Sequence, residues 1–209
     1  MRLAAVQGYL VDPKDGAVVY DMAAEFGVVR PAEVAFNLAA GVPNSLRPIV
    51  NAIVRGIKRA AQDPATENAP IVALCGDNSF DLLTNHPDII RLYLNWSAAA
   101  DLRDGSQGAA FSAFPFAGVL WVNYRGSNDN ATISVAPDKA KFFPKSPAMF
   151  SEALAPGESF EWVNTPGKPQ YLLGIPDRDR NAFWKIELCS YPMPYALRPE
   201  TLWTGRAEA

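Results

Sequence analysis

Ile71-Val72-Ala73-Leu74 runs without a break into Cys75-Gly76-Asp77-Asn78 and on to Ser79-Phe80-Asp81-Leu82-Leu83-Thr84. A short apolar run bounded by turn formers reads as a buried strand, and the residues after the turn predict a helix over 79–84. A second helix is expected to start within Asn85-His86-Pro87-Asp88, because proline suits the first helical position and an acid favours the positive N-terminal end. Ile89, Ile90, Tyr93 and Leu94 would form its buried face. A strand followed by two helices makes the first half of the chain mixed α/β.

Upstream, the clearest periodic signal lies between residues 45 and 62. Leu46, Ile49, Val50, Ile53, Val54 and Ile57 follow i, i+3, i+4, i+7, i+8, i+11, a single apolar stripe at the helical period. Asn44 or Ser45 can cap this helix, Pro48 falls in its first turn, and Asp63-Pro64 stops it. Its other face carries Arg47, Arg55, Lys58 and Arg59 without an acid among them. Two readings compete for that face: a phosphate-binding surface, or a solvated or subunit-facing surface whose cations suit the C-terminal end of the helix dipole. The second needs no nucleic acid and is the one carried forward. Nearer the start, Tyr9-Leu10-Val11 and Ala17-Val18-Val19-Tyr20 flank Asp12-Pro13-Lys14-Asp15-Gly16, a hairpin signature, and a further short strand is expected at 33–38.

Downstream of Gly105-Ser106-Gln107-Gly108 the helical period disappears. Residues 114–124 read as one strand-like run closed by the Arg125-Gly126-Ser127-Asn128-Asp129 turn, with a return strand at 132–135 and later strands at 158–163, 170–174 and 182–190. The chain has 18 prolines, and ten of them fall between Pro137 and Pro199. That spacing excludes a helical bundle and predicts strands, turns and extended segments.

The remaining composition narrows the function class. At 209 residues with 49% hydrophobic and 20% charged content, the chain can bury roughly 70% of its unfolded surface and is not a disordered polymer. A net charge of -3 excludes a polybasic nucleic-acid binder. Cys75 and Cys189 lack the density of a secreted scaffold and the paired spacing of a zinc site, so two buried thiols are expected. The first residues have no signal-like core and no window approaches a membrane span, so the expected compartment is the cytosol, where the sequons at Asn95 and Asn130 carry no meaning.

A strand entering Cys75-Gly76-Asp77 and then a helix is a place where nucleophiles can be mounted. An activated thiol needs a base, and His86 is the only histidine. Lying at a helix start beside Pro87, it reads better as a cap, with Asp77 and Asn78 as turn and cap residues. Asp77, Asp81, Asp101 and Asp104 lie close in sequence, but nothing separates them from a solvated acidic surface. No phosphate-binding glycine loop is present. No cofactor, metal or catalytic set is therefore assigned.

Five segments of the second half then bear on identity: Phe116-Ala117-Gly118-Val119-Leu120-Trp121-Val122-Asn123-Tyr124-Arg125-Gly126; Pro137-Asp138-Lys139-Ala140-Lys141-Phe142-Phe143-Pro144; Phe150-Ser151-Glu152-Ala153-Leu154-Ala155-Pro156; Phe160-Glu161-Trp162-Val163-Asn164-Thr165-Pro166-Gly167-Lys168-Pro169; and Ser190-Tyr191-Pro192-Met193-Pro194 with Arg198-Pro199-Glu200. In order and spacing they resemble the lambda-type (protein E) major capsid family of tailed bacteriophages. Ala73-Leu74-Cys75-Gly76-Asp77, Phe80-Asp81, Asn85-His86-Pro87, the 93–102 stretch and the Gln7-Gly8 hairpin resemble the same family. The resemblance thus covers nearly the whole chain.

What the resemblance implies is an α+β fold of Hong Kong 97 type, an axial α/β domain plus a β-rich peripheral domain. Residues 21–164 would be mostly axial, and 1–20 with 165–209 a remnant of the peripheral domain. Family members are longer, and the expectation is an N-terminally shortened form lacking the extended arm, the protruding loop and most of the spine helix. The implied function is a structural head subunit that self-associates into hexamer and pentamer capsomers enclosing packaged DNA. Its implied location is the virion capsid, and the host cytoplasm before assembly. Scaffold or decoration proteins are further implied partners; no membrane is. Arg47, Arg55, Lys58 and Arg59 are the candidate intersubunit surface. The alternatives are a capsid-derived protein that binds full-length subunits and interferes with or resizes assembly, and a thiol enzyme using Cys75 and His86.

Overall fold

A computed structural model describes residues 3–12, 14–95, 113–124, 135–177, 179–180 and 182–208, with the side chains of Leu3, Tyr93, Leu94 and Asn95 excepted. In chain order the elements are α1 (Leu3–Gln7), β1 (Tyr9–Val11), β2 (Val18–Asp21), α2 (Met22–Glu25), β3 (Val34–Ala35), α3 (Leu46–Ala61), α4 (Pro64–Glu67), β4 (Ile71–Cys75), α5 (Asp77–Thr84) and α6 (Pro87–Asn95). They continue as β5 (Ala113–Phe116), β6 (Val119–Asn123), β7 (Lys139–Pro144), β8 (Phe150–Leu154), β9 (Tyr171–Pro176), β10 (Trp184–Cys189), β11 (Pro192–Ala196) and β12 (Trp203–Arg206), with single 3-10 turns between some of them.

The strand that opened the sequence reading organises the structure. β4 lies inside a six-stranded mixed sheet of order β3-β12-β7-β4-β6-β5, parallel to β6 and antiparallel to β7. Its alternating side chains serve two cores. Ile71, Ala73 and Cys75 join a cluster with Leu46, Val50, Ile53 and Ile57 of α3 and with Phe80, Trp121 and Phe142. Val72 and Leu74 point the other way, toward Val6, Met22, Phe143, Met149 and Leu202. Burial on both faces is why this strand reads as a continuous apolar run rather than an alternating one. Three of the aromatics in the first core pack together: Trp121 and Phe142 meet edge-on with centroids 5.1 Å apart, and Phe36 packs 6.0 Å from Trp121.

α3 forms over the expected span, with Leu46, Val50, Ile53, Ile57 and Ala61 buried. Burying its four larger side chains is worth about 2 kcal/mol each, which outweighs the few tenths per residue of intrinsic propensity. The cap differs from the expectation. Ser45 stands at the N-cap position, but its hydroxyl donates to the Val42 carbonyl at 2.6 Å. The cap comes instead from Asp88 of α6, which accepts from the Asn44 N–H at 2.6 Å and from the Leu46 N–H at 3.2 Å.

Several other expectations are corrected. Residues 114–124 are two strands, because Ala117 (φ 50°) and Gly118 (φ 79°) both turn left-handed and fold β5 back on β6 in a tight hairpin. The span 158–163 holds a 3-10 turn at Phe160–Trp162, not a strand. The 33–38 segment is only the two-residue β3 followed by a 3-10 turn at Leu38–Ala40. In α6, Ile89 is buried but Ile90 is exposed, so the buried stripe is narrower than expected. The return strand at 132–135 and the turn at 125–129 lie outside the described residues, apart from buried Val135. The β1–β2, β9 and β10 expectations match the structure. Among the described residues no α-helix follows α6, in keeping with the proline spacing.

Candidate assembly surfaces

Arg47, Arg55, Lys58 and Arg59 all reach solvent from one side of α3. Their common face follows from the period: the buried stripe occupies the opposite side, and Lys58 and Arg59 fall in the last turn, where the helix dipole favours cations. Among the described residues no carboxylate pairs with any of the four. Arg47 also borders a cleft of about 390 Å³ with Asn44, Asn51, Asp88, Arg91 and Phe116. Among the described residues α3 therefore presents a cationic ridge without a paired carboxylate, and none of them brings a catalytic group to it.

The Cys75 and His86 pair does not form. Cys75 is fully buried at the end of β4, and burial pushes its thiol well above the ordinary range, away from the reactive thiolate. No hydrogen bond joins it to His86, whose Nδ1 accepts from the Asp88 N–H at 3.2 Å at the start of α6. The histidine is a cap, as its neighbours suggest. Asp77 and Asp81 lie on α5, while Asp101 and Asp104 are outside the described residues. No group of three or more His, Cys, Asp or Glu side chains is arranged to hold a metal among the described residues. No helix among them is long and apolar enough to cross a membrane.

One cluster escaped the sequence reading. Lys141 of β7 donates to the Thr204 hydroxyl at 2.7 Å and lies 5.9 Å from the Tyr9 ring centroid, while Arg30 stacks on the same ring at 5.3 Å. Arg30 is tied down by Asp21 at 2.7 Å and by the Gly8 carbonyl at 3.1 Å. Lys139 pairs with Glu33 at 2.5 Å and holds that carboxyl below its usual range. Lys141 has no carboxylate of its own among the described residues. Burial, followed by the charges of Lys139 and Arg30, pushes its amine down to about 8. Only the sheet register reveals this site, since it joins residues more than a hundred positions apart.

A mixed sheet with helical residues packed on both faces, buried thiol and imidazole, and charged and apolar groups turned outward describe a protein whose distinctive chemistry lies on its surface. The fold agrees with that class. It is similar, with a TM-score of 0.56 at 15% identity, to the crystal structure of a protein assigned as the capsid protein of a prophage of E. coli CFT073, matching over 98% of this chain and 60% of that one. The family model described as phage major capsid protein E matches residues 1–207, and the chain belongs to that family. It spans about three fifths of the length of the solved prophage protein. No curated protein matches it.

Proposed function

We propose that the chain is the shell-building body of a phage head subunit of Hong Kong 97 type, which self-associates into capsomers around packaged DNA. The observation that carries this reading is the family match over residues 1–207, supported by a fold shared with a prophage protein along nearly the whole chain. On this reading residues 21–164 are mostly the axial domain, and 1–20 with 165–209 belong to the peripheral domain. Before assembly the subunit resides in the host cytoplasm. The ridge of Arg47, Arg55, Lys58 and Arg59 is an intersubunit surface, consistent with a charge that no carboxylate among the described residues pairs.

Negative-stain electron microscopy of the concentrated chain tests the proposal. Hexameric or pentameric rings, sheets or closed particles are expected. A single monomeric species at every concentration reached overturns the assembly function for this chain while leaving its fold untouched.

A further inference from the structure

The hairpin of β9 and β10 carries an apolar face that nothing in the described chain covers. The register pairs Leu172 with Leu188, Gly174 with Ile186, and Pro176 with Trp184. Residues directly opposite in an antiparallel pair share a face, so these six form one side of the ribbon without a single polar side chain. Leu172, Trp184, Ile186 and Leu188 are 65–71% exposed. Trp184 lies against Gly174, where a Cβ would stand 3.4 Å from the indole, so the ring and the ribbon make a broad, low surface.

The other side of the ribbon is treated differently. There Tyr171 is buried and packs on Trp162 at 4.5 Å and on Tyr191 at 6.2 Å. Its hydroxyl accepts from the Lys168 N–H at 2.8 Å and donates to the Ala155 carbonyl at 3.3 Å. The hairpin is thus anchored at one end and on one side. Beyond that anchor its strands pack mainly on each other, and a two-stranded ribbon is marginal in water until a third layer covers it.

Size and charge identify that layer. Taking about 120 Å² for a fully exposed aliphatic side chain and about 250 Å² for tryptophan, the face offers roughly 450 Å² of apolar area. A standard interface takes about 800 Å² from each partner, of which some 60%, about 480 Å², is apolar. The charge is equally telling. The only charged residues of the two strands, Lys185 and Glu187, lie on the opposite side and pair with each other. A basic or acidic partner finds no counter-charge here, whereas an identical copy meets no like-charge repulsion. We infer that this face of the β9–β10 hairpin is a self-association surface that packs on the same face of a second copy of the chain. The inference rests on the capsid reading and names one of its contacts.

The test uses the full 209-residue chain. Sedimentation velocity over a concentration series compares the wild type with Leu188→Glu. The substituted position is exposed, so circular dichroism and urea midpoint should be unchanged while self-association weakens by about 30-fold or more. In a Cys189→Ala background, a short bismaleimide should join Ile186→Cys chains to one another, because Ile186 and Gly174 are the central pair of the face and sit nearest a two-fold axis. If the wild type forms rings or particles while Leu188→Glu assembles equally well and Ile186→Cys fails to cross-link, the hairpin surface is overturned and the capsid reading stands. If the wild type stays monomeric throughout, both fall.

Discussion

Trp203 of β12 packs against Gly56 of α3, so close that a methyl group on Gly56 would stand 2.3 Å from the indole Cζ2. Glycine inside a helix is normally a liability of about 1 kcal/mol relative to alanine. Here it is the condition for α3 and strand β12 to meet. Gly56→Ala should therefore destabilise the fold by about 1–3 kcal/mol despite its better helix propensity. In urea unfolding the midpoint should fall with an unchanged slope, and Trp203→Leu should restore part of the loss in the double variant. A stabilised Gly56→Ala would show that the contact is not made.

Asp88 joins two helices through one side chain. It lies in the first turn of α6 and also accepts the leading N–H groups of α3, bonds that span 44 and 42 positions of sequence. Asp88→Ala should cost about 1 kcal/mol, because two backbone donors, one exposed and one part-buried, lose their acceptor, while Asp88→Asn should recover part of that. Chemical denaturation of the three proteins checks the order. Ser45→Ala, the cap expected from sequence, should change stability by no more than about 0.5 kcal/mol.

These two sites show where the sequence was legible and where it was not. α3 and β4 were readable because their signals are periodic and local: Leu46, Val50, Ile53 and Ile57 mark one face, and Ile71 to Cys75 a strand buried on both. The Asp88 cap, the Gly56 contact and the Lys141 cluster depend on which elements meet, and no local pattern encodes that. Strands β7 and β11 were missed as strands for a different reason. Pro144 ends β7, and Pro192 and Pro194 alternate along β11, which pairs only with β8 and can leave their missing N–H groups on its open edge. Proline therefore masked strands that tolerate it. The Ala117-Gly118 turn was missed because alanine rarely takes a positive φ.

Lys141 gives a pH-dependent prediction with a definite sign. Its amine titrates near 8 in the folded chain and near 10.5 when unfolded. Between those values the unfolded chain binds more protons, so this group makes stability rise with pH over that window; below about 8 the full cost of burying the charge is present. Lys141→Met keeps most of the packing and removes the charge, so it should stabilise the protein at pH 7 by on the order of 2 kcal/mol, less whatever is lost at the Thr204 hydroxyl. The gain should shrink toward pH 10.5. Urea midpoints at pH 7, 8.5 and 10 read this directly, and a pH-independent difference between the two proteins would sink the explanation.

The cationic ridge of α3 separates an assembly role from a stability role. Arg47, Arg55, Lys58 and Arg59 are exposed and unpaired among the described residues, so their contribution to folding is limited to the dipole, about 0.3–1 kcal/mol for the two in the last turn. If the ridge faces an acidic surface of a neighbouring subunit, reversing Arg55 and Arg59 to glutamate puts like charges together across that contact, which costs several kcal/mol there. The expected result is a folded protein with a urea midpoint close to wild type that no longer forms rings or particles. Raised salt should weaken wild-type assembly in the same direction, because exposed charges are screened beyond about 8 Å at physiological ionic strength. Arg55→Gln with Arg59→Gln should fall between the two, since neutralisation removes an attraction without adding a repulsion. Normal assembly of the glutamate variant at low salt would remove the ridge from the interface and leave it as solvated surface.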